Sequence, residues 1–197
     1  MSEYSRRDLL RSAGLAVISA EAVSAQDGGQ VHEMAATEKD AKSGRYQPKA
    51  LNAREYATLE RLTDLIIPAE SKSPGALAAG AAAWIDMLAS ENERLAVIYT
   101  GGLAWLDQAV MARSQKNFTE ASPAEQTALL DLIAYRKNAS PDLSPGISFF
   151  DWARRMTVDA FYTSKIGIED LDYRGNTAMA RYEVPAEAIQ YALKKSG

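Results

Sequence analysis

The sequence predicts an all-α protein: a single orthogonal domain of about five or six helices that follows a disordered N-terminal arm. Three observations predict it. Beyond Leu51, apolar residues recur every three or four positions, and no pair of alternating runs reads as strands. Asn52-Ala53-Arg54-Glu55 and Ser122-Pro123-Ala124-Glu125 each place a capping residue three positions before a glutamate, the signature of a helix start. Pro68, Ser73-Pro74-Gly75 and the turn-rich stretch 138–146 fall between the periodic segments, where helices must stop.

The elements follow in order. The first domain helix opens at the Asn52 cap, carries Tyr56, Leu59, Leu62, Leu65 and Ile66 on one side, and ends at Pro68. An alanine-rich helix from Ala76 to Leu88 presents Ala81, Trp84, Ile85 and Leu88 as a stripe. A third runs from about Glu91 to Ser114, with Gly101-Gly102 either a kink or a point of close packing. The helix after Ser122 has proline at its first position, where the missing N–H costs nothing. A helix from about Ser148 to Lys165 carries Phe149, Trp152, Met156 and Tyr162. The chain to Gly175 reads as loop, and Pro185 to Lys194 as a last short helix.

Composition narrows the function. A hydrophobic fraction of 47% suffices for one ordinary core, and a net charge of −4 without basic clusters offers nothing to nucleic acid or to an anionic membrane surface. The absence of cysteine excludes disulfides, thiolate nucleophiles, Fe–S clusters and covalent haem attachment. The one histidine, His32, lies in the polar stretch 26–50. That stretch has too few apolar residues to offset its ordering entropy, so it reads as a flexible arm with a solvated histidine.

Residues 1–25 have the three parts of an export signal. Arg6 and Arg7 stand in Ser5-Arg6-Arg7-Asp8-Leu9-Leu10-Arg11, a short apolar run spans Ala13 to Ala20, and Val23-Ser24-Ala25 supplies small residues for cleavage. The apolar run is too short to span a bilayer, which takes about 20 residues. The heptamer resembles the twin-arginine (Tat) consensus, with Leu9 and Arg11 as conservative exchanges, so the expected location is the periplasm.

Carboxylates are the remaining route to chemistry. Glu60 and Asp64 stand one turn apart on the first domain helix, with Glu55 nearby. Because Arg61 is adjacent and the opposite side is apolar, a solvated outer face is the favoured reading. Glu169, Asp170 and Asp172, with Asp151 and Asp159 upstream, lack the glycine and terminal glutamate of a calcium loop. The glycines form no nucleotide-binding pattern. Phe149-Phe150 and Phe161-Tyr162 set adjacent aromatics on different faces of one helix, so one of each pair is expected to face a second surface.

The Tat signal, the run Leu65-Ile66-Ile67-Pro68 followed by Ser73-Pro74-Gly75-Ala76 and Ile85-Asp86, and Phe161-Tyr162-Thr163-Ser164 followed by Gly167 and Tyr173-Arg174-Gly175-Asn176 together resemble the gluconate 2-dehydrogenase subunit 3 family over residues 51–182. The chain thus divides into a signal over 1–25, an arm over 26–50 that is not part of the family's pattern, and a helical small-subunit domain over 51–197. The resemblance also implies no catalytic residue, metal or cofactor in this chain. The expected partner is a large FAD-dependent dehydrogenase of the glucose–methanol–choline type, often joined by a c-type cytochrome with haem c, and membrane contact is only through that complex. The candidate partner interface collects Pro68, Pro74 and Tyr173 from these motifs with Trp84, Phe150, Trp152, Phe161 and Tyr162. Members of the family often carry cysteines, so a covalent link to the partner is excluded here. The alternatives are an exported binding module with an unrelated partner and a stand-alone enzyme using Asp151, Asp159 and Glu169.

Overall fold

The computed structural model describes residues 25–41, 45–172, 184 and 186–195. Among them are nine α-helices, a single 3-10 turn (Arg136–Asn138) and no strand. The helices are α1 (Ala25–Ala41), α2 (Ala53–Ile66), α3 (Gly75–Ala78), α4 (Ala81–Glu91), α5 (Glu93–Ser114), α6 (Pro123–Ile133), α7 (Ser144–Tyr162), α8 (Lys165–Asp170) and α9 (Ala186–Lys195).

Both predicted capping boxes form. The Asn52 side chain accepts from the Arg54 and Glu55 amides while Glu55 reaches back to the Asn52 amide, and Ser122 and Glu125 reciprocate in the same way at α6. α2 stops at Ile67, which leaves helical geometry (φ −130°, ψ 84°) because Pro68 disfavours the helical region for the residue before it. The loop that follows closes on itself. The Ala76 amide donates to the Ile67 carbonyl at 2.9 Å, and Gly75 sits at φ 77° with the backbone of residues 67–69 packed against it. A Cβ at Gly75 would stand 2.6 Å from the Ala69 nitrogen, so the Ile-Ile-Pro and Pro-Gly-Ala runs form one turn that only glycine completes.

The predicted Ala76–Leu88 helix is two helices, divided at Ala79-Gly80, where Gly80 adopts φ 73°. Its second part, α4, is the centre of the molecule: every residue from Ala81 to Ala89 is buried. The alanines are the reason. Small side chains let α1, α2, α5 and α7 approach α4 from several sides, and Trp84, Ile85 and Met87 fill the gaps between them. α5 runs unbroken past Gly101-Gly102, so the glycine pair marks close packing rather than a kink: the Phe149 ring of α7 occupies the space a Gly102 side chain would take. Tyr99 meets the same ring edge-to-face at 5.7 Å. α7 begins four residues before the predicted start, and the stretch after it, expected as loop, contains α8, capped by Ser164 accepting from the Gly167 amide.

The flexible arm expected over 26–50 is corrected most. Residues 25–41 are helical and docked, with Val31 and Ala35 buried. The Trp84 indole N–H donates to the Gly28 carbonyl at 3.0 Å, His32 Nε2 donates to the Ala160 carbonyl at 2.8 Å, and the His32 ring lies 6.0 Å from that of Trp84. Gly28 permits this approach, since a Cβ there would meet Thr163 at 2.6 Å. The composition of the segment pointed to disorder because only Val31 and Ala35 are buried apolar anchors, and the rest of its stabilisation comes from two hydrogen bonds and a close backbone contact with distant residues, which hydrophobic periodicity does not register.

His32 is therefore half-buried rather than solvated, and burial holds its pKa below the ordinary 6.5, against a smaller opposing effect of the Ala160 hydrogen bond. A depressed histidine pKa stabilises the fold fully above the unfolded value, and that contribution is lost as pH falls below it, because the unfolded chain takes up the proton first. Wild-type protein is expected to lose stability below about pH 6.5 relative to His32→Gln. Glu60 and Asp159, both raised by burial, act in the opposite direction but cancel between the two proteins. Chemical denaturation of both across mildly acidic pH checks this; parallel curves would remove His32 from the account.

Candidate functional site

The candidate interface residues fall into three groups. Trp84 is 0% exposed, Phe161 1% and Phe150 9%, so these three are core residues and are withdrawn from the interface. The reason is that α7 packs against α2, α3, α4, α5, α6 and α8, so both members of the Phe149-Phe150 pair are enclosed. Pro68 and Pro74 are exposed on the loop between α2 and α3, and Tyr162 is exposed with its ring edge-to-face on Phe161 at 5.0 Å. Trp152 is half-buried at the mouth of two adjoining clefts. Tyr173, Arg6 and Arg7 lie outside the described residues.

The first cleft, of about 290 Å³, lies between α5 and α7 and is walled by Ile98, Gly101, Trp105, Pro145, Phe149 and Trp152. The second, of about 430 Å³, continues from it past Ser148 and Trp152 to Arg136, Ser144 and Asp151. Shared walls make them one groove, apolar at the α5 end and charged at the other. Helical periodicity registers Trp105 and Trp152 as large apolar residues, and Trp152 was among the interface candidates. What it could not register is that Gly101, Pro145 and Ser148 bring too little side chain to fill the space between the two indoles.

The carboxylates are placed where they bind the protein to itself. Asp64 accepts from Arg61 at 2.8 Å, and the Arg61 Nε donates to Gln126 from α6, so the Glu60–Asp64 pair is not left open for a cation. Glu60 is partly buried, which raises its pKa above the usual carboxylate range. Asp151 is surrounded by Arg136, Arg154 and Arg155, and Glu169 faces Lys165 at 3.9 Å. No group of three or more histidine, cysteine, aspartate or glutamate side chains suited to a metal occurs among the described residues.

One acidic residue was given no role from sequence. Asp86 is fully buried in α4, and its two oxygens accept from the Tyr46 hydroxyl (2.7 Å) and from the amides of Lys49 (2.7 Å), Ala50 (3.2 Å) and Leu51 (2.9 Å). A carboxylate so supplied anchors the chain where it enters α2, and the Lys49–Glu38 ion pair at 2.8 Å ties α1 to the same segment. The signal was present in Ala81-Ala82-Ala83-Trp84-Ile85-Asp86-Met87-Leu88-Ala89. A single charge inside an otherwise apolar run must find partners if the run is buried.

Fold and site together define an all-α protein whose described polar side chains mostly serve its own architecture and whose surface carries an apolar groove. The family model described as Gluconate 2-dehydrogenase subunit 3 matches residues 53–180. The chain belongs to this family, and is accordingly an accessory subunit in a multi-subunit dehydrogenase assembly. No curated protein and no solved structure gives a significant match. The matched residues include the Gly75 turn, Asp86 and the α5–α7 groove, whereas α1 precedes them.

Proposed function

We propose that this chain is the non-catalytic small subunit that escorts and stabilises an FAD-dependent dehydrogenase of the glucose–methanol–choline type, one that oxidises a sugar, sugar acid or polyol. The observation that carries the reading is the family match over most of the domain. The twin-arginine motif at Arg6 and Arg7 supports its export half. The Tat route carries folded cargo, so a signal on a chain with no recognisable cofactor motif is explained if a cofactor-loaded partner travels with it. FAD then resides in the partner, with haem c in a third, cytochrome subunit where one is present. The assembly works in the periplasm, and this chain meets the membrane only through it.

The test is Arg6→Lys/Arg7→Lys in the intact chain, expressed with the flavoprotein. Periplasmic dehydrogenase activity is expected to fall to background while the flavoprotein accumulates in the cytoplasm or is degraded. Normal periplasmic activity in the double variant sinks the escort reading.

A further inference from the structure

α5 is more apolar than its surroundings explain. It is the one described helix long and apolar enough to cross a membrane, yet only a third of its apolar stretch is buried. A helix that is apolar all round is normally enclosed; an exposed one carries charge on its outer side. Here Val97, Gly101, Ala104, Gln108 and Met111 follow one another at helical spacing on the outer side, all exposed and none charged. They form a stripe about 20 Å long at 1.5 Å per residue. Trp105 and Ile98 flank it and lead into the groove against Trp152.

The stripe is recessed, because glycine and alanine stand at its middle, between the projecting Val97 and Met111. A face that enters lipid projects bulky side chains instead. Small residues in line let another helix backbone come close. At the end of the groove, Asp151 takes Arg155 at 2.6 Å, Arg154 at 3.2 Å and Arg136 at 3.4 Å. Three guanidiniums hold far more N–H donors than one carboxylate can accept. The neighbouring Asp159 offsets one charge, through Arg155, and the excess stays positive on a chain that is acidic as a whole.

We propose that this face is where the flavoprotein subunit docks, by an apolar helix that lies along Val97–Met111 and ends in carboxylates that meet Arg154 and Arg155. The inference rests on the accessory-subunit reading and specifies its surface. Charge complementarity selects the occupant: a trough without charge from Val97 to Ala104, closed at its far end by the mutually paired Arg54 and Asp107 and neighboured by a basic cluster across the groove, fits an apolar segment with an acidic end.

The experiment uses the full chain, tagged at its C-terminus, co-expressed with its flavoprotein and isolated from periplasm; flavin absorbance per tagged chain is the readout. Val97→Glu/Ala104→Glu is expected to lower bound flavin about tenfold or more, since it buries unpaired charge at the contact. Arg154→Glu/Arg155→Glu should lower it as well and abolish the salt sensitivity of the wild-type complex. Lys72→Glu, on the α2–α3 loop, should leave it unchanged; thermal melts of Val97→Glu/Ala104→Glu and Lys72→Glu should match wild type, and the double arginine variant, which loses two exposed ion pairs to Asp151, should melt only slightly lower. Wild-type chain without flavin would overturn the accessory-subunit reading itself. Full flavin retention by both face variants would overturn only the docking surface. So would a dimer of the isolated chain, or its binding to anionic vesicles, if Val97→Glu/Ala104→Glu abolishes that association and spares flavin.

Discussion

Asp86→Ala is expected to destabilise the protein by about 3 kcal/mol or more, because it leaves three backbone amides and a phenol without the acceptor they share. All four donors converge on Asp86 from residues 46–51, and the deletion provides no substitute. For a chain of this size such a loss lowers Tm by roughly 6–12 °C. Asp86→Asn should fall between, since one oxygen remains while the new amide group faces N–H donors. Tyr46→Phe should cost only about 1 kcal/mol, because the three amides keep their partner. Calorimetry of the series checks the order; equal losses for Tyr46→Phe and Asp86→Ala would show that Asp86 does not organise this segment. Amide exchange at Leu51 provides a local readout, with protection expected to vanish in Asp86→Ala.

The second large effect is expected at Trp84. Trp84→Ala removes the largest side chain of the buried central helix and should cost about 3–5 kcal/mol. Trp84→Phe keeps most of the packing and loses the hydrogen bond to the Gly28 carbonyl, a cost of about 1 kcal/mol. The pair separates core packing from the docking of α1. In Trp84→Phe the global melt should shift little while the amides of α1 exchange faster; in Trp84→Ala both should change. Unaltered protection of α1 in Trp84→Ala would show that Val31, Ala35 and His32 hold the helix without the indole.

These two residues also show where sequence reading succeeded and where it stopped. Trp84 was legible as a stripe residue from helical spacing, and its placement among the interface candidates failed because spacing reports which face is apolar, not whether a neighbour covers it. Asp86 stood in view inside an apolar run, but its partners come from a segment some 35–40 residues earlier with no periodicity of its own. One member of each of the pairs Phe149-Phe150 and Phe161-Tyr162 was expected to face outward: Tyr162 does, whereas Phe149 and Phe150 are both buried. α7 packs against six helices, a property of the assembled domain that no window of the sequence contains.

The groove divides in the same way. Trp105 and Trp152 were visible as large apolar residues at helical positions, and Gly101-Gly102 as a place where another backbone could come close. That α5 and α7 stand side by side, with a gap between their indoles and Asp151 drawn among three arginines beside it, depended on the packing of helices far apart in the chain.

By itself the sequence determined the helical class, the start of α2 and α6, the stop at Pro68 and the family, read over residues 51–182 and matched by the family model over 53–180. Each of these rests on local rules: capping residues satisfy nearby amides, proline removes a donor, and a motif is a fixed order of side chains. Only the tertiary structure decided that residues 25–41 form a docked helix, that Asp86 anchors the entry to α2, and that the outer side of α5 stays uncovered. The physical reason is that these outcomes depend on hydrogen bonds and contacts between residues tens of positions apart, and their free energy exists only once the helices have packed.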